Sequence, residues 1–555
     1  GAHPGLAAPA RLLDRELVEP VDGVYVAVGF ALANVVALEG PDGLVIVDST
    51  EGRPSAEDAL AAIRTVTDKP IAALVLTHNH ADHVFGGRVF VEDAARRGHP
   101  DIPIWAHASM SDHLDRVVNV LRDVIEVRSM RMFGTFLPPS SLGAGIGLRL
   151  RFRPQDIALA RPDHTFEDEV DIEAGGLALR LLHVPGETDD QVAVWWPDRR
   201  VLLPADDIYQ AFPNLYTIRG TPTRDVRAWV ASLDRMRDLH AEVLVPQHTR
   251  PLVGAEQVED TLTAYRDAIQ YVHDQAVRGL NAGRTADELA ATIRLPPHLA
   301  SHPWLAERYG RVSWSVRSIC DGYLGWFDGR GADLEPLAPA ERGRRMMAAF
   351  SAGASLPSQA RAALAAGDLQ WAAELGQLWV DAEPASPEAR GVLADALEGL
   401  GHRSDNANAR NWVLTEAEEL RGTLHIEPTP TDVAPVALVD GLPIDPFMQA
   451  LSTRLRAEDV LDVDWQAVFE FTDIDRRYLV HVRRGVAEVR PRSPEQLVGV
   501  DADLTIRTTA RTWKRIASQH EHALAAAARG DLAVDGDLAD LVKLLRWFER
   551  RQAPG

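Results

Sequence analysis

The segment that most restricts how this chain can fold runs from Ile71 to Gly87: an apolar stretch, IAALVL, followed without a break by THNHADHVFGG. His78, His80, Asp82 and His83 fall within six consecutive positions of it. A short apolar run closed by polar residues reads as a buried strand. Such a strand can end in four ionisable side chains only if something compensates them, because taking polar and charged groups out of water unpaired is costly. His78 and His80 are two apart in extended chain and point to one side, while Asp82 and His83 follow in the turn and face a second ion. The pattern suits two divalent cations held by imidazole and carboxylate with solvent between them. The single cysteine, Cys320, permits neither a thiolate cluster nor an intramolecular disulfide, so zinc on nitrogen and oxygen ligands is the expected cofactor.

Four ligands do not fill two sites, and three later apolar runs each end in a candidate. LALRLLHVPGETDD offers Glu187, RVLLPADD offers Asp206, and EVLVPQH offers His248 after the helical pattern DVRAWVASLDRMRDLH. Asp189, Asp190 and Asp207 compete locally and are expected as turn or capping residues.

Around these motifs, residues 21–110 alternate apolar runs with Gly and Asp-Gly turns, interrupted by SAEDALAAIRTVTD, which reads as a capped helix. A second strand-rich block begins at HTFEDEV. Two successive halves of strands and helices predict an αββα sandwich, assigned to residues 1–283. From 284 to 424 the chain is Ala- and Leu-rich with helix caps, and helices starting at Asp368 and at Ser386-Pro387 resemble a tetratricopeptide unit. A Pro/Thr linker at about 425–435 leads into a strand meander, AVFEFTDIDRRYLVHVRRGVAEVRP, and then helical TARTWKRIASQHEHALAAAARG. That makes residues 425–555 a small α+β domain. A chain of 555 residues is too long for one core, in keeping with a multidomain α+β protein.

The formal charge of −23 repels nucleic acid and anionic membrane surfaces, so neither is an expected partner. It also obliges an anionic substrate to find a local positive group. No apolar run approaches the ~18 residues of a membrane span. The N-terminus lacks the apolar core of a secretory signal, so the cytoplasm is the default compartment, with a periplasmic or secreted location if a leader has been removed.

In this order the motifs HxHxDH, PGET, AD and QH resemble the metallo-β-lactamase superfamily. Glutamate at position 187, where most of that superfamily has histidine, narrows the resemblance to its alkyl sulfatases. MRMFGT at 130–135, GAGIG at 143–147, PNLYTIRG at 213–220 and YLGWFDG at 323–329 fit the same family, and the likeness extends over nearly the whole chain. The resemblance implies a dizinc hydrolase with His78, His80 and Glu187 on one zinc and Asp82, His83 and His248 on the other. Asp206 would bridge, and a water held between the ions near Asp206 would be the nucleophile. The implied substrate is a small-molecule sulfate ester with an apolar chain, cleaved to alcohol and inorganic sulfate. Attack at carbon and attack at sulfur are both open. Asn214 and Arg219 would grip the sulfate; Arg219 is the local positive charge required above, and a structural ion pair is its alternative role. The helical domain would form a homodimer, and the C-terminal domain would be sterol-carrier-like.

Two positions depart from the family. Asp206 replaces a bridging glutamate and is one methylene shorter. Trp314, in YGRVSWSVRS, stands where better-known members carry a histidine that contacts sulfate; tryptophan donates one hydrogen bond but cannot shuttle a proton. A substrate contact and an apolar wall are the two roles open to it. Competing readings are another dizinc hydrolase of this fold, acting on a phosphoester, lactone or β-lactam, and a lipid-binding protein with a vestigial metal site.

Overall fold

The computed structural model describes residues 3–7, 12–138, 143–150, 153–350, 354–429 and 436–548. The expected linker is described as far as residue 429; 430–435 lie outside the described residues. The chain divides into two compact units, one of Gly1–Met110, Val124–Phe152 and Pro162–Pro428, the other of Ser111–Asp123, Arg153–Arg161 and Thr429–Gly555.

The first unit contains two sheets. Seven strands lie in sequence order: β1 Glu16–Val18, β2 Val24–Val28, β3 Val35–Glu39, β4 Leu44–Val47, β5 Ile71–Val75, β6 Ile104–His107 and β7 His164–Phe166. The first four pair antiparallel and the steps from β4 to β7 are parallel. The second sheet is ordered β13-β12-β11-β10-β9-β8, with β8 Glu169–Ala174, β9 Leu177–His183, β10 Val192–Trp196, β11 Val201–Leu203, β12 Val243–Leu244 and β13 Leu252–Val253.

Alternation along the strands decides what each face buries. Val45, Val47, Ala73 and Val75 of the first sheet join Leu181, Val194, Val201, Leu203 and Val243 of the second in one apolar layer. Their neighbours Leu182, Ala193, Trp195, Leu202 and Leu244 face outward into a second cluster, made with Trp229, Leu233, Leu262, Tyr265 and Ile269. Those partners come from helices Val226–Arg237 and Ala255–Asn281, the latter burying a residue every three or four positions over 27 residues. Burial on both faces explains why LVIV and VAVWW read as unbroken apolar runs. The expected αββα sandwich is present.

The helix expected at SAEDALAAIRTVTD starts earlier, spanning Arg53–Ile63 with Pro54 in its first turn and no side-chain cap. Ser55, the expected cap, instead donates to Gly52 O at 3.1 Å. The helix stops before the β-branched run Thr65-Val66-Thr67, whose side chains lose rotamer freedom in a helix. From Thr285, which forms a capping box with Glu288, the unit is helical to Arg421 among the described residues, and Asp368 and Ser386 cap helices as expected.

The second unit holds a five-stranded sheet ordered β16-β15-β14-β17-β18: β14 Asp464–Phe471, β15 Arg476–Arg483, β16 Val486–Pro491, β17 Leu504–Thr508 and β18 Leu532–Asp535. The expected meander is β14 to β16, and Phe469, Phe471, Tyr478, Trp513, Leu541 and Leu544 form its core. Among the described residues, no helix is long and apolar enough to cross a membrane.

Candidate metal centre

The candidate ligands all leave the carboxyl ends of strands at one edge of the sandwich. His78–His83 follow β5, Glu187 follows β9, Asp206 follows β11 and His248 follows β12. Four residues in the loops after β4, β11 and β12 hold positive φ without being glycine: Asp48 (62°), Thr50 (68°), Ala205 (52°) and Thr249 (68°). Such backbone is held in place only by its surroundings and clusters at functional sites. Two glycines permit close approach. A Cβ on Gly86 would lie 1.8 Å from Ser49 O, and one on Gly186 would lie 2.0 Å from Asp207 Oδ1.

Asp206 is the centre of the cluster. Its Oδ2 lies 3.1 Å from His248 Nε2, 3.4 Å from His83 Nε2 and 3.6 Å from His78 Nε2, while its Oδ1 is buried with no hydrogen-bond partner. Asp82 Oδ2 lies 3.5 Å from His83 Nε2 and 3.6 Å from His248 Nε2. His78 Nε2 and His80 Nδ1 face each other at 2.9 Å. Two groups therefore gather their ligand atoms within 4.8 Å: His78, His80 and Asp206, and Asp82, His83 and His248.

The far side of each ring fixes which nitrogen faces inward. His83 Nδ1 donates to Asp48 Oδ2 at 2.7 Å, and His248 Nδ1 donates to Leu32 O at 2.9 Å. His78 Nδ1 is 3.0 Å from Thr77 Oγ1, whose own proton goes to Asp48 Oδ2 at 2.8 Å. Asp48 also accepts from Thr77 N at 2.8 Å and Gln247 Nε2 at 2.7 Å. Nδ1 carries a proton on all three rings, so Nε2 is the nitrogen that each turns towards the cluster, the arrangement that supporting carboxylates and carbonyls give metal-binding histidines.

Burial pushes the His78 imidazole down to about 3, with His83 adding to it, and pushes His80 well below its usual range, with Arg219 adding to it. Burial opposes charge on Asp82 and Asp206, yet facing imidazoles outweigh it: His83 and His248 hold Asp82 at about 2, and His248, His83 and His78 hold Asp206 well below the carboxylate range. Burial would also lower His83 and His248, but Asp206 raises both. The cluster thus collects positive charge on the rings that face its two carboxylates, where a cation would sit.

Glu187 is buried beside this cluster, outside both groups. Its Oε1 accepts from Arg224 Nη1 at 2.9 Å, its Oε2 is buried without a partner, and burial raises its carboxyl against the pull of Arg224. Asn214 is fully buried, with neither Oδ1 nor Nδ2 hydrogen-bonded. Arg219 Nη2 lies 2.9 Å from His80 Nε2, so the guanidinium borders the cluster. Trp314 sits on helix Val312–Leu324 with its ring 5.7 Å from the Arg311 guanidinium, and no described contact joins it to the cluster.

Several contributors were not expected from the sequence. Asp48 closes the run GLVIVD at the end of β4 and carries the strand-then-acid signature that selected Glu187 and Asp206. Arg224, between two turn-rich stretches, carries no such signal. Asp189 is an exposed turn residue as expected. Asp190 and Asp207 are buried: Asp190 Oδ1 accepts from Asn79 Nδ2 at 2.7 Å and Asp207 Oδ1 accepts from Glu187 N at 3.1 Å, so both orient ligand-bearing turns.

Family models match three parts of the chain: the metallo-beta-lactamase superfamily at 28–248, alkyl sulfatase dimerisation at 285–423 and the alkyl sulfatase C-terminal region at 433–553. A linear primary-alkylsulfatase of a Pseudomonas sp. strain is 38% identical over 537 residues, covering 93% of this chain and 99% of the relative. An (R)-specific secondary-alkylsulfatase of Pseudomonas sp. is 30% identical over 535 residues, covering 94% and 79%. The solved structure of the stereoselective inverting sec-alkylsulfatase Pisa1 from Pseudomonas sp. superposes with a TM-score of 0.87 at 28% identity, over 99% of this chain and 87% of that one. A double mutant of the same sulfatase gives 0.92 over the same coverage.

Proposed function

The chain belongs to the alkyl sulfatases of the metallo-β-lactamase superfamily, and from that premise we propose that it hydrolyses alkyl sulfate esters to an alcohol and inorganic sulfate at the cluster around Asp206. The observation that carries this reading is Asp206 itself. One carboxylate oxygen is shared by three imidazoles from two strand ends, and the other is orphaned in the interior. Buried polar atoms without partners are rare and ask for a missing one. Asp206 Oδ1, His83 Nε2 and Glu187 Oε2 are three such atoms, and a donor set of imidazole nitrogen and carboxylate oxygen without thiolate fits two zinc ions.

In this reading His78, His80 and Glu187 hold one ion, Asp82, His83 and His248 the other, and Asp206 lies between. Bound there, the pair supplies a water whose pKa is lowered towards neutrality and positive charge for the developing anion. The chain's own part is positioning. His80 would coordinate through Nδ1, which faces His78 Nε2, so its Nε2 would carry the proton and no longer accept from Arg219. That frees the Arg219 guanidinium for the sulfate oxygens, and the unpartnered Asn214 carboxamide adds a second, neutral donor. Arg224 opposes the burial that raises the Glu187 carboxyl and fixes the Asn214 carbonyl through a further hydrogen bond.

The division into a catalytic part (1–283), a helical dimerisation part (284–424) and a C-terminal part (425–555) belongs to the same proposal. So does a homodimer formed through the helical part, for which light scattering of the purified protein should give twice the chain mass. Metal analysis together with sulfate release from primary, secondary and aryl sulfates tests the function. About two zinc per chain and sulfate released from alkyl esters are expected; hydrolysis of phosphoesters or β-lactams without sulfate release would refute it.

A further inference from the structure

Between the turn Ala205–Asp207 and helix Val226–Arg237 the chain forms neither helix nor strand, yet this stretch carries Asn214 and Arg219. Its carbonyls have no ladder to pair in, so their partners must come from elsewhere. Locally the stretch is held by a tight turn, in which Gly220 N donates to Thr217 O at 3.0 Å and Gly220 has φ 107°. Both carbonyls inside that turn go to one guanidinium. Arg128, on helix Arg122–Phe133, donates from Nη2 to Ile218 O at 2.6 Å and from Nε to Arg219 O at 2.7 Å. The same helix meets the turn at three more points. Thr217 Oγ1 donates to Met132 Sδ at 3.2 Å and accepts from Arg219 Nη1 at 3.4 Å. The Phe133 ring centre lies 6.0 Å from the Arg219 guanidinium, and a Cβ on Gly220 would lie 3.5 Å from Ile125 Cδ1.

Arg128 is itself fixed from the helical part. Trp412, on helix Ala407–Arg421, has its ring centre 5.1 Å from the Arg128 guanidinium and 5.8 Å from that of Arg131. A guanidinium lying over an indole face keeps its edge donors available, here for the two carbonyls. Arg131 is locked in turn by Glu419, two turns further along the helix of Trp412, to which it donates from Nε at 2.8 Å and Nη2 at 2.9 Å. We propose that Arg128 is the positioning residue of the sulfate grip, holding the turn that aims Arg219, and that Trp412 and Glu419 make that grip answer to helix Ala407–Arg421. This deepens the hydrolase reading and rests on it. Arg128 spends its fork on backbone and acts only through Arg219. With the turn held, the ester meets a guanidinium already aimed; without it, binding has to order the turn first. Arg219 holds the sulfate in the bound ester as well as during reaction, so the loss falls on KM and not on kcat.

The test measures sulfate release from a linear alkyl sulfate by the zinc-loaded full chain. Arg128→Met keeps an apolar stem against Trp412 and removes both donors, so KM should rise about 10-fold with kcat and zinc content as in the parent. Arg128→Lys restores one donor and should fall between the two. In an Arg219→Lys background, Arg128→Met should raise KM no further, since the guanidinium it aims is gone. Trp412→Leu should raise KM about 3-fold, and not at all once Arg128 is methionine. A parental KM in Arg128→Met, or a fall in kcat and zinc content with KM unmoved, overturns the proposal. So does a rise in KM that simply adds to that of Arg219→Lys, and the Arg128→Lys protein runs the same cycle if the methionine variant does not fold. A parent protein that releases no sulfate refutes the hydrolase reading itself, whereas turnover by the parent with an unmoved KM in Arg128→Met refutes the positioning role alone.

Discussion

Replacing Arg224 with methionine separates the structural and metal-binding roles of Glu187. The Arg224–Glu187 pair is 2.9 Å long, and its side chains are only 3% and 2% exposed, so neither charge is screened by solvent. Removing one member of a buried pair leaves the other uncompensated, at a cost of about 3–5 kcal/mol. The Glu187 carboxyl already lies above its usual range, raised by burial, and Arg224 is the strongest influence holding it down. In the metal-free protein the variant should therefore suffer the whole penalty. With zinc bound, the cation would take over the role of Arg224 and the penalty should shrink. The difference between the two penalties equals the change in metal-binding free energy, whatever else the mutation does to both states alike. The lost hydrogen bond to the Asn214 carbonyl is common to both and cancels. Recovery of about half the penalty, roughly 1.5–2.5 kcal/mol, corresponds to zinc binding about 10- to 70-fold tighter. Urea unfolding of chelator-stripped and zinc-loaded protein gives the penalties, and competition with a chromophoric chelator gives the affinity. Equal destabilisation with and without zinc, or weaker zinc binding in the variant, would mean that Glu187 takes no part in holding metal.

Three further outcomes follow from the same geometry. Asp48→Ala strips the acceptor from His83 Nδ1 and from the Thr77 relay to His78, so zinc affinity should fall about 10- to 100-fold by the same competition assay, and an unchanged value would refute the supporting role of Asp48. His83 and His248 are raised above the ordinary histidine value of about 6.5, so their protons stabilise the metal-free fold fully below that pH, and this is lost as pH rises through the folded values. Zinc expels those protons, so its affinity should climb with pH, and calorimetry at pH 7 in buffers of different ionisation enthalpy should detect about two protons released; none released would contradict the assignment. Arg219→Lys keeps the charge but loses the planar fork, so kcat/KM for alkyl sulfates should drop about 10- to 100-fold, mainly through KM, with zinc content unchanged; an unaffected kcat/KM would leave Arg219 as a structural residue.

What could be read from the sequence was whatever a strand end makes local. His78, His80, Asp82 and His83 lie within one turn, and Glu187, Asp206 and His248 each close an apolar run, so alternation and burial single them out before any fold is known. The same rule reaches Asp48, which closes β4 and serves two ligand-bearing segments, one through Thr77 and His83 and the other through Gln247. Arg224 is different in kind. Its partner is 37 residues away, its own neighbourhood is turn-like, and only the packing of helix Val226–Arg237 brings it to Glu187. Buried ion pairs between a loop and a distant strand end have no period and no spacing, so no one-dimensional rule finds them. The membership of Ser111–Asp123 and Arg153–Arg161 in the second unit is hidden for the same reason.

Asp206 shows how a shorter side chain can still sit at the centre of such a site. Losing a methylene withdraws a carboxylate by more than 1 Å, which ought to leave the imidazoles out of reach. Yet Oδ2 lies within 3.1–3.6 Å of three of them. The residue before it, Ala205, holds φ at 52°, a left-handed conformation that costs an alanine roughly 1–2 kcal/mol. Ala205 is fully buried, and the turn it opens, Ala205–Asp207, is a single short helical turn whose two acids point different ways: Asp206 to the imidazoles, Asp207 to the Glu187 amide. The left-handed bend at Ala205 thus sets the direction in which each acid leaves the turn. With Oδ2 already 3.1–3.6 Å from three imidazoles, a longer acid at 206 would have to fold back or push the rings apart, so Asp206→Glu should weaken zinc binding in the chelator competition, and an unchanged affinity would refute the fit.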